Sequence, residues 1–270
     1  MKIEVNNFSL KDILLSGACF RAHENEDGSF TNILKDRVIN IKQDGNVLTI
    51  KASKNDNLKE IIYDYFDLNR DYDSINKYLS SRDKIMKDVV NKCLDYRILN
   101  QDSFEMGISY IISQSNNVKR ISKIIDNLCT KYGDKVYFEG QEYHLFPSYE
   151  QLKDLKVEDF TNLKVGFRDK YLFDYIKKYS ELDIDNLSTN DAFKKLMSIK
   201  GIGLKVASCI LLFGYRRLDT FPIDTWVKKS ISENYNIKND QKTIERFAKE
   251  KYGDYTGLAI QYLFHSQRNK

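Results

Sequence analysis

The sequence predicts an α+β fold: a small N-terminal antiparallel β domain, then a mainly helical body containing a helix-hairpin-helix and a Gly/Pro-rich loop followed by Asp. Three observations predict it. In RVINIKQDGNVLTIKAS two β-branched runs flank Asp44-Gly45-Asn46, the chemistry of a tight hairpin turn. From about Asn57 apolar residues recur three and four apart, as in MGISYIISQSNNVKRISKIIDNLCTKYG and SYEQLKDLKVEDFTNL, which is helical spacing. The stretch IKGIGLKVASCILLFGYRRLDTFPIDTW, residues 199–226, then crowds glycines, a lysine, a cysteine, one of the chain's two prolines and an aspartate together in a sequence otherwise poor in Gly and Pro. The domain boundary is placed near residue 95, giving a β-sheet domain with connecting helices over 1–95 and a helical body over 96–270.

A chain of 270 residues with 41% apolar content can bury one large core or two modest ones. Its 43 Lys and Arg against 39 Asp and Glu leave a net charge of only +4, so any nucleic-acid affinity must come from local basic faces. Cys19, Cys93, Cys129 and Cys209 are widely spaced with no C-x-x-C. That argues against a zinc knuckle, an iron–sulfur cluster or a secreted disulfide framework. The N-terminal MKIEVNNFSL lacks an apolar signal core and no run approaches a membrane span, so a soluble cytoplasmic protein is expected, nucleoid-associated in a bacterium.

The 199–226 stretch rewards closer reading. NDAFKKLMSI reads as a helix with Asn190 as N-cap and KVASCILLFG as another, so Lys200-Gly201-Ile202-Gly203 must turn the chain in a helix-hairpin-helix spanning about 190–214. Gly201 and Gly203 would let the amides opening the second helix approach a phosphate; a ligand-free αα-corner explains the hairpin alone equally well. Lys205 breaks the tie. It lies in the first helical turn, where the macrodipole disfavours a cation by a few tenths of a kcal/mol or more, and a purely structural residue there is seldom Lys. Asp224, after Pro222 in DTFPIDTW, reads as an N-cap of the next helix, a role compatible with catalysis. An amine and a carboxylate joined by such a turn suit attack on an electrophilic carbon with support for positive charge on a sugar.

Hairpin, Lys205 and Asp224 together resemble the helix-hairpin-helix glycosylase superfamily. Within it the chain resembles the 8-oxoguanine DNA glycosylase/AP lyase family over nearly its whole length. SGACFR (16–21), QDSFEMGISYIISQSNNVKRI (101–121), VGFRDKY (165–171) and YTGLAIQYLF (255–264) support the narrower assignment. No cysteine cluster follows Asp224, which sets the chain apart from the iron–sulfur branch.

The resemblance implies the roles. Lys205 would be the nucleophile attacking C1′ of the flipped nucleotide, forming a Schiff base that permits β-elimination; Asp224 would hold that geometry and stabilise the sugar cation. To attack, Lys205 must lose its proton, which the helix N-terminus and removal from water would favour. Cys209, one turn after Lys205, would pack against the base, or serve equally well as a small buried hydrophobe. Phe264 would stack on the base's other face, or belong to the core. Gly17 would bring its backbone carbonyl to the base, or merely end the preceding segment. Phe167 and Arg168 match a wedge and an arginine reaching the orphaned cytosine. Arg120 matches a second cytosine-reading arginine, and Asn116 an opposite-strand contact.

Three departures qualify the match. Ser115 replaces a third Asn before Asn116-Asn117, which predicts looser selectivity for cytosine. At the position where many members place a base-contacting Gln this chain has Ile260, with Gln261 next in line. Trp226 replaces a phosphate-contacting His, and its indole N–H would donate there unless it packs in the core. The implied partner is double-stranded DNA containing 8-oxoguanine, preferably opposite cytosine, bound by a monomer without cofactor or metal. An alkylated-base glycosylase of the same superfamily is the nearer alternative and a non-catalytic DNA-binding module the more distant one.

Overall fold

The computed structural model describes residues 1–268, apart from the side chains of residues 225, 226 and 268. Strands β1 (Lys2–Glu4), β2 (His23–Glu24), β3 (Phe30–Leu34), β4 (Arg37–Asp44) and β5 (Val47–Ala52) form one antiparallel sheet in the order β1-β5-β4-β3-β2. The predicted turn closes β4 onto β5 with Asp44 opposite Val47, leaving Gly45-Asn46 as a two-residue loop. Alternation sets the buried face of β5: Leu48 and Ile50 point inward while Thr49 and Lys51 reach solvent.

The body is helical, as its periodicity predicts. At its centre Ser103–Ser113 and Leu204–Gly214 lie side by side. Both are apolar on nearly every face because other helices cover them, among them Asp169–Tyr179 and Thr189–Met197. The last helix, Thr256–Arg268, returns to pack on Lys84–Lys92, with the Cys93 thiol donating to the Tyr262 carbonyl at 3.4 Å and the Tyr262 hydroxyl to Asn76 at 2.8 Å. That return fixes where Phe264 sits.

Two local expectations are corrected. The body is not all helix, because β6 (Lys135–Phe138) and β7 (Gln141–His144) form a second antiparallel hairpin. Its turn, Glu139-Gly140, holds positive φ at both residues (48° and 80°), the backbone twist that joins two strands tightly. The first helix of the central hairpin is capped by Ser188, not Asn190: it begins at Thr189, and the Ser188 hydroxyl accepts from the Asp191 amide at 3.2 Å.

Candidate active site

The hairpin turn is built by a glycine that nothing else can replace. Gly201 has φ +84°, and a Cβ there would lie 2.2 Å from the Tyr171 ring. Gly203 N-caps the second helix, is exposed, and has open space where a Cβ would point. The amides that open Leu204–Gly214 lack intrahelical acceptors, and no side chain caps them.

Lys205 stands exposed in that first turn. The removal from water expected for it is absent in the free protein. One turn on, Cys209 is 4% exposed, and burial pushes its thiol up to about 12 while the Lys205 charge pulls it down and the Asp224 charge pushes it up. Amine and carboxylate thus both lie within Coulomb reach of one buried, neutral thiol. Burial of this kind suits both readings of Cys209. Asp224 is half-buried at the N-terminus of Thr225–Tyr235, its carboxylate accepting from the Val227 amide at 2.8 Å. It is therefore a cap and also borders a cleft of 690 Å³ lined by Asn116, Val118, Asp224, Ser230, Phe264 and Gln267, among others.

Phe264 accordingly lies at the cleft wall rather than in the core. Ile260 is wholly buried and cannot meet a base, and Gln261, half-buried, is not among the cleft-lining residues. Gly17 has φ +91°, so the loop around it requires glycine whether or not its carbonyl reads a base. The Trp226 expectation concerns a side chain outside the described residues.

Phe167 is 55% exposed at the tip of a single 3₁₀ turn, Gly166–Arg168, the placement a wedge requires. It forms a groove with Lys164, Lys170, Tyr171 and Lys200, joining its own loop to the hairpin turn by a basic surface that no single motif announces. Arg168 is not displayed beside it. Its guanidinium is buried, stacked at 4.4 Å on the Phe167 ring, and donates to the carbonyls of Gln114, Ser115 and Val165. Burial lowers its pKa below the ordinary guanidinium value, and the nearby Arg120 charge adds to the effect. Arg120 itself is exposed at the start of Val118–Tyr132, where the Asn117 side chain caps its amide at 3.0 Å. Asn116 turns its amide onto the Ile112 carbonyl at 3.1 Å at the cleft edge.

Two family models match this chain: 8-oxoguanine DNA glycosylase, N-terminal domain, over residues 1–106, and HhH-GPD superfamily base excision DNA repair protein, over 108–253. The Clostridium acetobutylicum 8-oxoguanine glycosylase/lyase, solved with double-stranded DNA containing cytosine opposite 8-oxoG, superposes with a TM-score of 0.92 at 37% identity, covering 100% of this chain and 98% of that one. The chain belongs to the 8-oxoguanine DNA glycosylase family. A probable N-glycosylase/DNA lyase of Methanothermobacter thermautotrophicus is 27% identical to this glycosylase over 99% of the chain and 96% of its own length. The 3-methyladenine DNA-glycosylase of Archaeoglobus fulgidus superposes with a TM-score of 0.81 at 18% identity, a likeness of fold alone.

Two groups in this glycosylase's cleft carry no sequence signal: Ser230, inside a helix, and Gln267, one turn beyond Phe264. Gln267 was discoverable only as the residue three positions on from Phe264, on the same helix face.

Proposed function

We propose that the protein flips 8-oxoguanine out of duplex DNA, releases it through a Lys205 Schiff base and then cuts the abasic strand by β-elimination, acting as a monomer with cytosine the preferred opposite base. One observation carries this reading. An exposed amine stands in the first turn of the hairpin's second helix, and a half-buried carboxylate capping the following helix borders a cleft walled by an aromatic ring.

DNA seated on the hairpin amides would cover Lys205 and remove its water, favouring the uncharged amine. Its Nζ attacks C1′, the bond from C1′ to the base breaks, and the departing base takes up a proton. The negative Asp224 supports the positive charge that grows on the sugar. The sugar ring then opens as the C1′–O4′ bond breaks, O4′ taking up a proton and the nitrogen losing one, to give the imine; the imine acidifies C2′, and loss of that proton expels the 3′ phosphate. Guanine and its oxidised form differ at N7, a lone pair in one and an N–H in the other. A Gly17 carbonyl facing N7 would bond the lesion and oppose guanine, a mismatch of about 1–3 kcal/mol. The ring-opened formamidopyrimidine of guanine carries the same N–H and is expected as a second substrate.

Borohydride trapping tests the nucleophile. The unaltered protein should yield a covalent adduct on an 8-oxoguanine:cytosine duplex, and Lys205→Gln should yield none. Trapping by the variant at the unaltered rate would overturn the assignment.

A further inference from the structure

Gly17 sits in a loop whose neighbouring carbonyls are held from the helical body. The Gln101 Nε2 donates to the Ala18 carbonyl at 3.0 Å, and the Ser122 hydroxyl to the Phe20 carbonyl at 2.8 Å. The peptide that carries the Gly17 carbonyl is bonded only through its N–H, from Ala18 to the Ser16 hydroxyl at 3.3 Å. Among the described residues no group donates to the Gly17 oxygen itself. Gln101, just before Ser103–Ser113, also faces the other way. Its backbone amide donates to the Phe213 carbonyl at 2.9 Å, in the last turn of Leu204–Gly214, the helix that opens with Lys205. A row of rings makes the same connection: Phe20 meets Tyr110 edge-on with centroids 5.8 Å apart, and Tyr110 stacks on Phe213 at 5.7 Å. Ring contacts set a spacing, whereas a hydrogen bond also sets a direction.

We propose that Gln101 is a positioning residue for lesion recognition, aiming the Gly17 carbonyl relative to the helix that carries Lys205. This rests on the reading of the site as a base pocket with that carbonyl at N7. Discrimination by one acceptor requires that it be held before the base arrives, because a carbonyl free to swing aside would escape the lone-pair clash with guanine. Strand cleavage at an existing abasic site needs the amine but has no base to read. Gln101 therefore serves base release and not the elimination that follows it.

The test uses the intact protein. Gln101→Met keeps the length of the side chain and the backbone bond to Phe213, but has no hydrogen to give Ala18. Single-turnover base release from an 8-oxoguanine:cytosine duplex should slow about tenfold or more, while strand cleavage at a preformed abasic site stays within about twofold. In a Lys205→Gln background, which prevents turnover, fluorescence anisotropy should show the preference for an 8-oxoguanine:cytosine duplex over a guanine:cytosine duplex shrinking with it. Ser122→Ala should show the same split in milder form, and it carries the test if Gln101→Met does not fold. Equal loss of both activities would make Gln101 a structural residue, and unchanged release with unchanged preference would remove it from recognition; either result overturns the proposal. Failure of the unaltered protein to release 8-oxoguanine or to trap would overturn the reading of the site itself and this proposal with it.

Discussion

Asp224 is where stability and the proposed chemistry can be separated. It caps Thr225–Tyr235 through the Val227 amide and borders the cleft. Asparagine caps as well as aspartate, so Asp224→Asn should keep its melting temperature while single-turnover excision falls by about 10² or more. Asp224→Ala should lose about 1 kcal/mol of stability besides. The two arginines separate in the opposite way. Arg168 satisfies three backbone carbonyls from a buried position, so Arg168→Ala should destabilise the fold by about 1–3 kcal/mol, read from denaturant unfolding. Arg120 is exposed, so Arg120→Ala should leave stability unchanged and narrow the difference in excision rate between lesions opposite cytosine and opposite adenine.

The two glycines of the hairpin differ in what the fold asks of them. Gly201 is needed by the turn, since a Cβ would strain a φ of +84° and run into Tyr171. Gly203 lies in extended backbone with open space around it, so only an approaching ligand would feel a methyl there. Gly201→Ala should therefore lower the melting temperature, by an amount matching about 1–3 kcal/mol. Gly203→Ala should melt as the unaltered protein does and bind duplex more weakly by fluorescence anisotropy. The same local logic made these elements readable. The Asp44-Gly45-Asn46 turn and the Lys205 helix depend on residues within a few positions of each other. The β6–β7 hairpin was missed because KVYFEGQEYH has short, half-exposed strands with little apolar alternation to report them.

Across the whole molecule, the β-sheet domain meets the helical body at a cavity lined by Cys19, Arg21, Tyr65, Gln101 and Glu105, among others. Loss of solvent pushes the Glu105 carboxyl up to about 7, with Arg21 opposing the shift and Asp102 adding to it. The folded protein thus holds this proton more tightly than the unfolded chain does. Its contribution to stability is complete below the ordinary carboxylate range and is lost as pH rises through about 7. Thermal melts of the unaltered protein should fall between pH 5 and 8 by more than those of Glu105→Gln, which cannot ionise. Equal slopes for the two would show that the carboxyl is solvated.

Residue order carries the α+β succession of elements, the central hairpin turn, and the places of Lys205 and Asp224 at the starts of successive helices. Each is written in short-range terms: turn chemistry, helical period, a cap, a motif. Tertiary structure alone decided which polar groups share the cleft. Gln267 reaches Ser230 across 37 positions, and Arg168 is drawn under the carbonyls of Gln114 and Ser115 from more than 50 positions away. It also decided that Ile260 is buried and that Lys205 waits in water. Such placements follow from how the last helix packs back on Lys84–Lys92 and how Ser103–Ser113 lies against Leu204–Gly214. Periodicity assigns a face to each helix, but what that face meets depends on residues far away in the chain.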